Sequence, residues 1–508
     1  MRIAAIDVGS NSVHLVVVET DELGNQTVLA REKTMVRLAK GVLKTGEIAP
    51  DAFQAGLEAL ALMAEVIRSL ACDTVMACGT AALREASNAG RFVKEAALLG
   101  IPIRVISGEE EASLIFLAVS RAIPFPEGPA ALIDIGGGST ELTWIDDGRV
   151  IATLSLPWGI QRVADAVPTS IPPTPEELAR LRKFIRKILK KAGKNLPDDL
   201  PVAPLVLGTS GTLMDLAKGA SGGLEFDLEA LRRFKRKLWK ISPQDREALL
   251  GVDPKRSEVL HTGASWATGL MEWVGATHVR VLPVGLREGM VWQALARGGM
   301  ALPKLAERRK ASVEALAAKL DPDPGHSRHV KHLADRLFLD LQPYFDLGDP
   351  ERELLGYACR LHDIGLSLSE KGHHKHGAYL IQNANLAGFW PNECETISQI
   401  VRYHRGKPPS AADHDVFALL KPWTQHVVEK LAAILRVADA LDRTRRQAVS
   451  RVRVLPDGED LTLLIHGGGD LRPELESLQV KGKLLFKLLD RPVRVVVAEP
   501  AVTAGLRE

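Results

Sequence analysis

The chain has 508 residues, of which 46% are hydrophobic and 25% charged, and its 65 Lys and Arg nearly balance 63 Asp and Glu. This length predicts two to four domains, and a net charge of +2 excludes a strongly basic overall character. No run of about 18 apolar residues occurs and the N-terminus has no cleavage-site pattern, so we expect a cytoplasmic protein without a transmembrane helix. The cysteines form no CxxC pair and no dense pattern, which indicates reduced thiols at Cys72, Cys78, Cys359 and Cys394.

The first part of the chain alternates strand and helix patterns. Three strands come first, joined by the turns VGSN and LGN, at about residues 2–6, 12–19 and 26–33. Helical patterns then lie on either side of the strand TVMACG, at about 51–70 and 88–99. The strand IRVIS leads into a long helix that begins near Glu109. This mixture predicts α/β layers.

The pattern of strand, glycine turn and strand occurs twice. The segment IDIGGGSTEL, followed by a DG hairpin turn, repeats the arrangement of the N-terminal AIDVGSNSV. Asp7, Gly9 and Ser12 match Asp134, Gly136 and Ser139 at a constant offset of 127 residues. We interpret this as an internal duplication, which predicts two similar lobes whose glycine turns face each other across a cleft.

A third turn, GTSGT, has the same design, because it follows an apolar strand and has no bulky side chains. Such turns let backbone N–H groups and hydroxyls approach an anion closely. One turn of this kind is more often a plain hairpin, but three together favour a phosphate site. The predicted phosphate-binding residues of the three turns are Gly9, Ser10, Asn11, Ser12, Gly137, Gly138, Ser139, Thr140, Gly208, Thr209, Ser210, Gly211 and Thr212.

Five motifs make the resemblance to one family specific. AIDVGSNSVHLVV, GTAALREASN, VISGEEEASLIFLAV, LIDIGGGSTEL and GTSGT occur in the order and spacing of the exopolyphosphatase/guanosine pentaphosphate phosphohydrolase (Ppx/GppA) family. The resemblance covers about residues 1–300. It implies two ribonuclease-H-like lobes of the actin-like ATPase superfamily, at 1–123 and 124–300. It also implies Mg²⁺ (or Mn²⁺) as cofactor and a homodimer.

Carboxylates near the glycine turns are the candidate catalytic and metal-binding groups. Three glutamates open the helix of SGEEEA, where carboxylates favour the positive end of the helix dipole. Crowding raises the pKa of one member of such a cluster, which suits a general base. The family resemblance implies that this base is Glu111. Asp134 and Glu141 are the predicted Mg²⁺ ligands, whereas Asp7 either holds metal or braces its loop. Arg84 is either a phosphate clamp or an exposed loop arginine.

Two basic helical segments are candidates for a polyphosphate track. Each carries an apolar stripe flanked by cations, and each taken alone is more often a solvated surface. Because only 5% of the residues are aromatic, base stacking and hence single-stranded nucleic acid are disfavoured. An inorganic polyphosphate chain requires charge alone. The predicted track residues are Arg180, Lys183, Lys187, Lys190, Arg232, Arg233 and Arg236.

From about residue 300 the pattern becomes mostly helical, which predicts an all-α domain at 301–447 and a small α+β module at 448–508. An adjacent His-Asp pair on a helix can supply mixed N and O ligands to one ion. The segments of this helical domain that contain His and Asp resemble an HD-domain phosphohydrolase. This resemblance implies a second divalent metal site. The alternative is a relic HD fold that only extends the polyphosphate channel. The resemblance implies that the ligands are His326, His362, Asp363, His373, His404 and Asp439.

Four functions follow from these patterns. The leading one is exopolyphosphatase, with water attacking the terminal phosphate of a polyphosphate chain by positioning and charge neutralisation. The close alternative is hydrolysis of the 5′ terminal phosphate of guanosine pentaphosphate (pppGpp), by the same site. An ATP-dependent kinase of the same superfamily would need an acceptor site, for which there is no motif. A phosphate or alarmone sensor is the non-enzymatic alternative.

Overall fold

The computed structural model describes residues 1–21, 26–299, 304–384 and 386–498. The chain forms two compact units, Met1–Pro303 (unit 1) and Lys304–Glu508 (unit 2). The predicted turn LGN and the predicted boundary at 300/301 lie outside the described residues. In the described part of the chain, no helix is long and apolar enough to cross a membrane.

Unit 1 contains strands and helices in alternation. Its strands are β1 Arg2–Val8, β2 Ser12–Thr20, β3 Gln26–Met35, β4 Thr74–Gly79, β5 Ile103–Val105, β6 Pro129–Ile135, β7 Thr140–Asp146, β8 Arg149–Leu156, β9 Leu205–Gly208, β10 Glu225–Asp227 and β11 His278–Val281. Its helices are α1 Val42–Thr45, α2 Pro50–Ser69, α3 Ala81–Glu85, α4 Ala89–Leu98, α5 Gly108–Ala122, α6 Ile160–Ala166, α7 Pro175–Gly193, α8 Gly211–Ser221, α9 Leu228–Leu238, α10 Pro243–Leu250, α11 Pro254–Ser257, α12 Leu260–Val274 and α13 Leu286–Arg297.

The two sheets of unit 1 share one topology. The first has the order β3-β2-β1-β4-β5, and the second has the order β8-β7-β6-β9-β11 with β10 added at its edge. In the first sheet β3, β2 and β1 are antiparallel neighbours, and β4 and β5 run parallel to β1. In the second sheet β8, β7 and β6 are antiparallel neighbours, and β9 and β11 run parallel to β6. The predicted duplication therefore appears in the fold.

Central strands carry continuous apolar runs because both of their faces are covered. Residues 3–6 of β1 are fully buried, as a strand packed on both sides requires.

The turns that follow the two equivalent strands, β1 and β6, close in the same way. The amide of Gly9 donates to the carbonyl of Ser12 at 3.1 Å, and the amide of Gly136 donates to that of Ser139 at 3.0 Å.

Helix α5 begins after β5 of the first lobe and packs against β7 and β8 of the second sheet, and against α13. Ser107 caps this helix by accepting a hydrogen bond from the amide of Glu110. Helix α5 therefore lies between the two lobes. Helix α7 begins with the predicted capping box, in which Thr174 and Glu177 bond reciprocally.

Unit 2 is mostly helical, with one small sheet. Its helices are α14 Leu305–Leu320, α15 Pro324–Phe345, α16 Asp349–Leu361, α17 His373–Asn383, α18 Pro391–Tyr403, α19 Asp415–Ala418, α20 Pro422–Ala440, α21 Arg472–Lys481 and α22 Lys483–Leu489, with a 3₁₀ turn at Ile364–Ser367. Its strands, in the sheet order β12-β13-β14, are β12 Val449–Asp457, β13 Asp460–Gly467 and β14 Val493–Val497. One continuous hydrophobic core includes residues of the helices and of the sheet.

Candidate active site

A cleft of about 590 Å³ opens between the two lobes of unit 1. The three glycine turns line it, and so do three of the four candidate carboxylates. The predicted residues at the cleft surface are Asp7, Gly9, Ser10, Asn11, Ser12, Glu111, Asp134, Gly137, Gly138, Ser139, Thr209, Ser210, Gly211 and Thr212. Those that lie behind or outside the cleft surface are Arg84, Thr140, Glu141 and Gly208.

The duplicated turns face each other at contact distance. An added Cβ at Gly137 would lie 2.7 Å from Nδ2 of Asn11, and one at Gly138 would lie 2.4 Å from Oγ of Ser10. Real Cβ atoms do not approach other atoms this closely. Glycine therefore lets the second turn lie against the polar side chains of the first in their present orientation, with its backbone open to the cleft.

Gly159 supports the second turn from behind, although no sequence motif marked it. The amide of Ile160 donates to the carbonyl of Gly136, and that of Gln161 to the carbonyl of Gly137, each at 3.0 Å. An added Cβ at Gly159 would lie 2.4 Å from the carbonyl oxygen of Gly136 and 2.4 Å from the carbonyl carbon of Gly137. These are backbone atoms, which cannot rotate away.

Gly159→Ala is therefore expected to displace the second turn, lower phosphate release at least about tenfold and destabilise the fold by about 1–3 kcal/mol. Phosphate release and thermal unfolding measure the two effects. Gly90→Ala is the control, because an added Cβ at that exposed helix position meets nothing within 4 Å. Wild-type activity and an unchanged melting temperature in Gly159→Ala would contradict this account.

Four carboxylates are buried at or beside the cleft. Burial raises the pKa of Asp7 to about 7, against the opposing charge of Arg287. Burial likewise raises the pKa of Asp134, and it raises the pKa of Glu141 well above its usual range with the help of Glu111 and Asp134. Crowded buried carboxylates are unfavourable as anions unless a cation neutralises them.

The carboxylate oxygens are suited to a hard divalent cation. Oδ1 of Asp7 is buried and has no hydrogen-bond partner among the described residues. Oδ2 of Asp134 accepts a hydrogen bond from the hydroxyl of Thr209 at 2.6 Å, which leaves its other oxygen available. Glu141 accepts from the Ser155 hydroxyl at 3.0 Å. The donor set at the cleft fits Mg²⁺, which prefers one or two carboxylates together with substrate phosphates.

Of the three consecutive glutamates, only Glu111 points inward. Its side chain is buried, whereas Glu109 is exposed and Glu110 forms a surface ion pair with Arg104. Burial raises the pKa of Glu111 to about 7, against the opposing effect of Arg84. A carboxylate with this pKa can accept a proton from water at neutral pH.

Arg84 contacts Glu111 instead of the open cleft. Its Nη1 donates to Oε2 of Glu111 at 2.8 Å and to the carbonyl oxygen of Ile106 at 2.9 Å. These two bonds fix the orientation of the glutamate and leave Arg84 behind the cleft surface. The geometry therefore gives this arginine a contact that positions Glu111, whereas the predicted clamp on phosphate stays a prediction.

Cations that no motif had indicated line the same cleft. Lys33 on β3, Arg256 on α11 and Arg287 on α13 lie at its surface. Arg256 pairs with Asp215 at 2.8 Å, and the pKa of His14 is lowered to about 3 by burial together with the charges of Arg287, Lys33 and Arg256. These cations place positive charge in the cleft beyond the glycine turns, beside the carboxylates of Glu32, Asp253 and Glu288.

The seven predicted track residues lie outside the cleft surface. Helices α7 and α9 both pack against α12, so the two basic segments are close in space. Arg232 forms ion pairs with Glu229 and Glu272, which neutralise part of its charge. Burial lowers the pKa of Lys235, on α9, to about 8, and Arg182 of α7 contributes to the shift.

A model of the Ppx/GppA phosphatase family matches residues 16–297, which is more than half of the chain. The protein belongs to the Ppx/GppA phosphatase family. A second model, for domain III of Ppx/GppA phosphatases, matches residues 308–468. The two matches together run from the first lobe of unit 1 into the small sheet of unit 2.

Solved structures agree with this family and its fold. A family member from Aquifex aeolicus is 26% identical, with 58% of this chain and 98% of that chain covered and a TM-score of 0.51. An exopolyphosphatase from Cytophaga hutchinsonii is 24% identical, with 59% and 99% covered and a TM-score of 0.53. An exopolyphosphatase-like protein is 25% identical, with 58% and 98% covered and a TM-score of 0.53. The predicted actin-like ATPase type of α/β fold is confirmed.

In this Ppx/GppA chain, unit 2 contains a second buried cluster of potential ligands. Two triads each have ligand atoms within 4.8 Å of one another, and Asp363 belongs to both. The first triad adds His326 and His362, and the second adds His373 and His404. Asp439, the remaining predicted ligand, places its Oδ1 3.5 Å from Nε2 of His326.

The four imidazoles are oriented for binding through Nε2. Their Nδ1 atoms contact oxygens: His362 at 2.8 Å from the carbonyl of Cys359, His404 at 2.6 Å from that of Val401, His373 at 3.1 Å from that of Glu370, and His326 at 2.8 Å from the Asp442 carboxylate. Such contacts fix the tautomer of metal-binding histidines. The buried Nε2 of His362 has no hydrogen-bond partner among the described residues, so the cluster fits a divalent cation.

Two cations contact the carboxylates of this cluster. Arg445 pairs with Asp363, and Lys481 of α21 pairs with Asp439. These two ion pairs partly neutralise the buried carboxylates.

His329, which the sequence placed outside the ligand set, contacts the carbonyl of Val449 at 2.8 Å instead.

Proposed function

We propose that unit 1 is an exopolyphosphatase, which removes the terminal phosphate of inorganic polyphosphate in a processive, Mg²⁺-dependent reaction. The observation that carries this proposal is the placement of Glu111, buried and oriented by Arg84, at a cleft lined by three glycine turns. Family membership supports phosphatase chemistry. The proposed reaction is the transfer of a phosphoryl group to water.

Each group of the cleft would have one role. Backbone N–H groups of the turns, together with the hydroxyl of Ser10, would hold the oxygens of the terminal phosphate, because the hydroxyl of Thr209 already donates to Asp134. Asp7 and Asp134 would hold Mg²⁺, with Glu141 behind them as a further anionic neighbour. When bound, the metal supplies neutralisation of the charge on the phosphate oxygens.

Glu111 would act as general base on the attacking water. The water oxygen forms a bond to the terminal phosphorus, the bond from that phosphorus to the bridging oxygen breaks, and the water proton passes to the Glu111 carboxylate. The products are orthophosphate and a chain shorter by one phosphate. Positioning by the turns is the main requirement of such a reaction.

The cations of the cleft favour a long polyanion over a nucleotide. Lys33, Arg256 and Arg287 offer cationic contacts beyond the turns that would hold the terminal phosphate. No cluster of aromatic side chains that could stack on a guanine lines the described part of this cleft. Similarity to an exopolyphosphatase-like protein at 25% identity supports the same choice. The basic surface of α7 and α9 stays a proposed additional track.

We expect the purified protein to release phosphate from long-chain polyphosphate faster than from pppGpp at equal terminal-phosphate concentration, with Mg²⁺ present. Charge contacts along the chain provide the reason, so the preference should weaken as salt rises. Malachite-green detection of orthophosphate measures both rates. A higher kcat/KM for pppGpp would support the alternative assignment, and hydrolysis of neither substrate would contradict both.

We also propose that the second cluster holds divalent metal and that unit 2 is an HD-type domain. Six candidate ligand side chains, four of which are oriented imidazoles, support this proposal. Mixed nitrogen and oxygen ligands suit Mn²⁺, Fe²⁺, Zn²⁺ or Mg²⁺. A cytoplasmic homodimer remains part of the proposal, and light scattering of the purified protein tests the dimer.

A further inference from the structure

Unit 2 contains a pocket of about 350 Å³ that takes part neither in the reaction proposed for unit 1 nor in the metal site proposed for unit 2. It lies between the first turn of α17 and the end of α18 with the loop that follows. His374 and Arg405, which line it, come directly after the candidate ligands His373 and His404. The ring of His374 lies 5.9 Å from that of His373 and 6.3 Å from that of His404. The pocket is therefore next to the metal cluster.

The pocket is lined by four cationic side chains and by no carboxylate. None of the four forms an ion pair within the described parts of unit 2, in contrast to Arg445 and Lys481 nearby. Like charges around a small volume repel one another, and a bound anion would remove that repulsion. The four cations are Lys375, Arg402, Arg405 and Lys407.

Two imidazole nitrogens of the pocket wall are also unsatisfied. Nδ1 of His374 and Nδ1 of His414 are buried and have no hydrogen-bond partner among the described residues. Buried polar atoms normally have a partner, in the protein or in a bound molecule. Both side chains line the pocket, so its wall contains two polar groups that the described protein leaves without a partner.

The loop that carries two of the cations is held rigidly. Arg436 of α20 is buried, and it donates to the carbonyl of Tyr403 at 3.0 Å and to that of Gly406 at 2.9 Å. This bracing fixes the backbone on both sides of Arg405. The opposite wall is the start of α17, where Gly372 and Lys375 line the pocket and the helix dipole is positive.

We propose that this pocket binds a small phosphate-bearing anion, such as a diphosphate group, beside the metal cluster of unit 2. Its volume lies in the range of small-ligand sites, and it suits a compact, highly charged group. Arginine binds phosphate oxygens through a bidentate fork, which favours phosphate at Arg402 and Arg405. This binding is independent of the polyphosphate reaction proposed for unit 1.

The test is calorimetric titration of the full-length, metal-loaded protein with methylenediphosphonate, a diphosphate analogue that water does not cleave. Wild type is expected to show one binding event more per chain than Arg405→Ala/Lys407→Ala, or that event weakened at least about tenfold. Both side chains are exposed, so the double variant is expected to fold normally. Thermal unfolding checks this.

The matched control is Lys310→Ala/Arg451→Ala, which removes the same charge from exposed positions of unit 2 outside the pocket. It should keep the event that the pocket variant loses. Equal weakening in both double variants, or no weakening in either, would overturn the proposal. Malonate is expected to bind at least about tenfold more weakly than the diphosphonate, and equal affinity would overturn the assignment to phosphate.

Discussion

Glu111→Gln is expected to lower kcat for phosphate release from polyphosphate by about 10²–10⁴-fold, with little change in KM. The amide has nearly the volume of the carboxylate, and its oxygen can still accept the 2.8 Å hydrogen bond from Arg84. It cannot accept a proton from the attacking water. Substrate binding depends on the glycine turns and the cleft cations, so it should persist.

The matched controls are Glu109→Gln and Glu110→Gln in the same helix turn. Glu109 is exposed and Glu110 pairs with Arg104 at the surface, so either variant should keep a rate within about twofold of wild type. If Glu111→Gln keeps the wild-type kcat, another group must activate the water. If all three variants lose activity equally, the loss reflects the helix N-terminus and not a base at Glu111.

Asp363→Ala is expected to remove metal from unit 2 almost completely, because this carboxylate belongs to both ligand triads. Removal of a residue that only orients a metal ligand can weaken metal binding by about 100-fold. Loss of the ligand itself should weaken metal binding by at least as much. His373→Ala affects one triad only and should retain part of the metal. Elemental analysis of protein purified without chelator measures the metal content per chain.

Chelation provides an independent measurement of the same centre. Ligands that bind only the folded state stabilise it, so EDTA should lower the melting temperature of wild type and not that of Asp363→Ala. The control Asp335→Ala removes a half-exposed partner of Arg352 and should leave the metal content unchanged. Absence of metal from wild type would favour the relic alternative, in which the HD fold has no ion.

Local motifs allowed much of the fold and part of the candidate site to be predicted from the sequence. The 127-residue offset between Asp7 and Asp134 indicated a duplicated lobe because a glycine turn after a buried strand restricts both residue type and spacing. The two sheets repeat the same strand order. For the same reason the residues of the turns could be assigned to a common cleft before their contacts were known.

Contacts between distant segments could not be predicted in this way. The contact between Arg84 and Glu111 had no signal in the sequence, because the two residues are 27 positions apart and lie on different helices. Lys33, Arg256 and Arg287 had no motif, since the fold brings them to one cleft from separate elements. Gly159 was missed because its requirement for glycine comes from the backbone of another turn.

The sequence by itself determined the family resemblance, the duplicated α/β lobes and the types of side chain available for chemistry, because these depend on short-range patterns of residue type. Only the tertiary structure decided which carboxylates are buried together, which arginine orients Glu111 and which cations remain unpaired beside the unit 2 cluster. Burial and pairing depend on packing between segments that are far apart in the chain. A linear pattern does not contain that information.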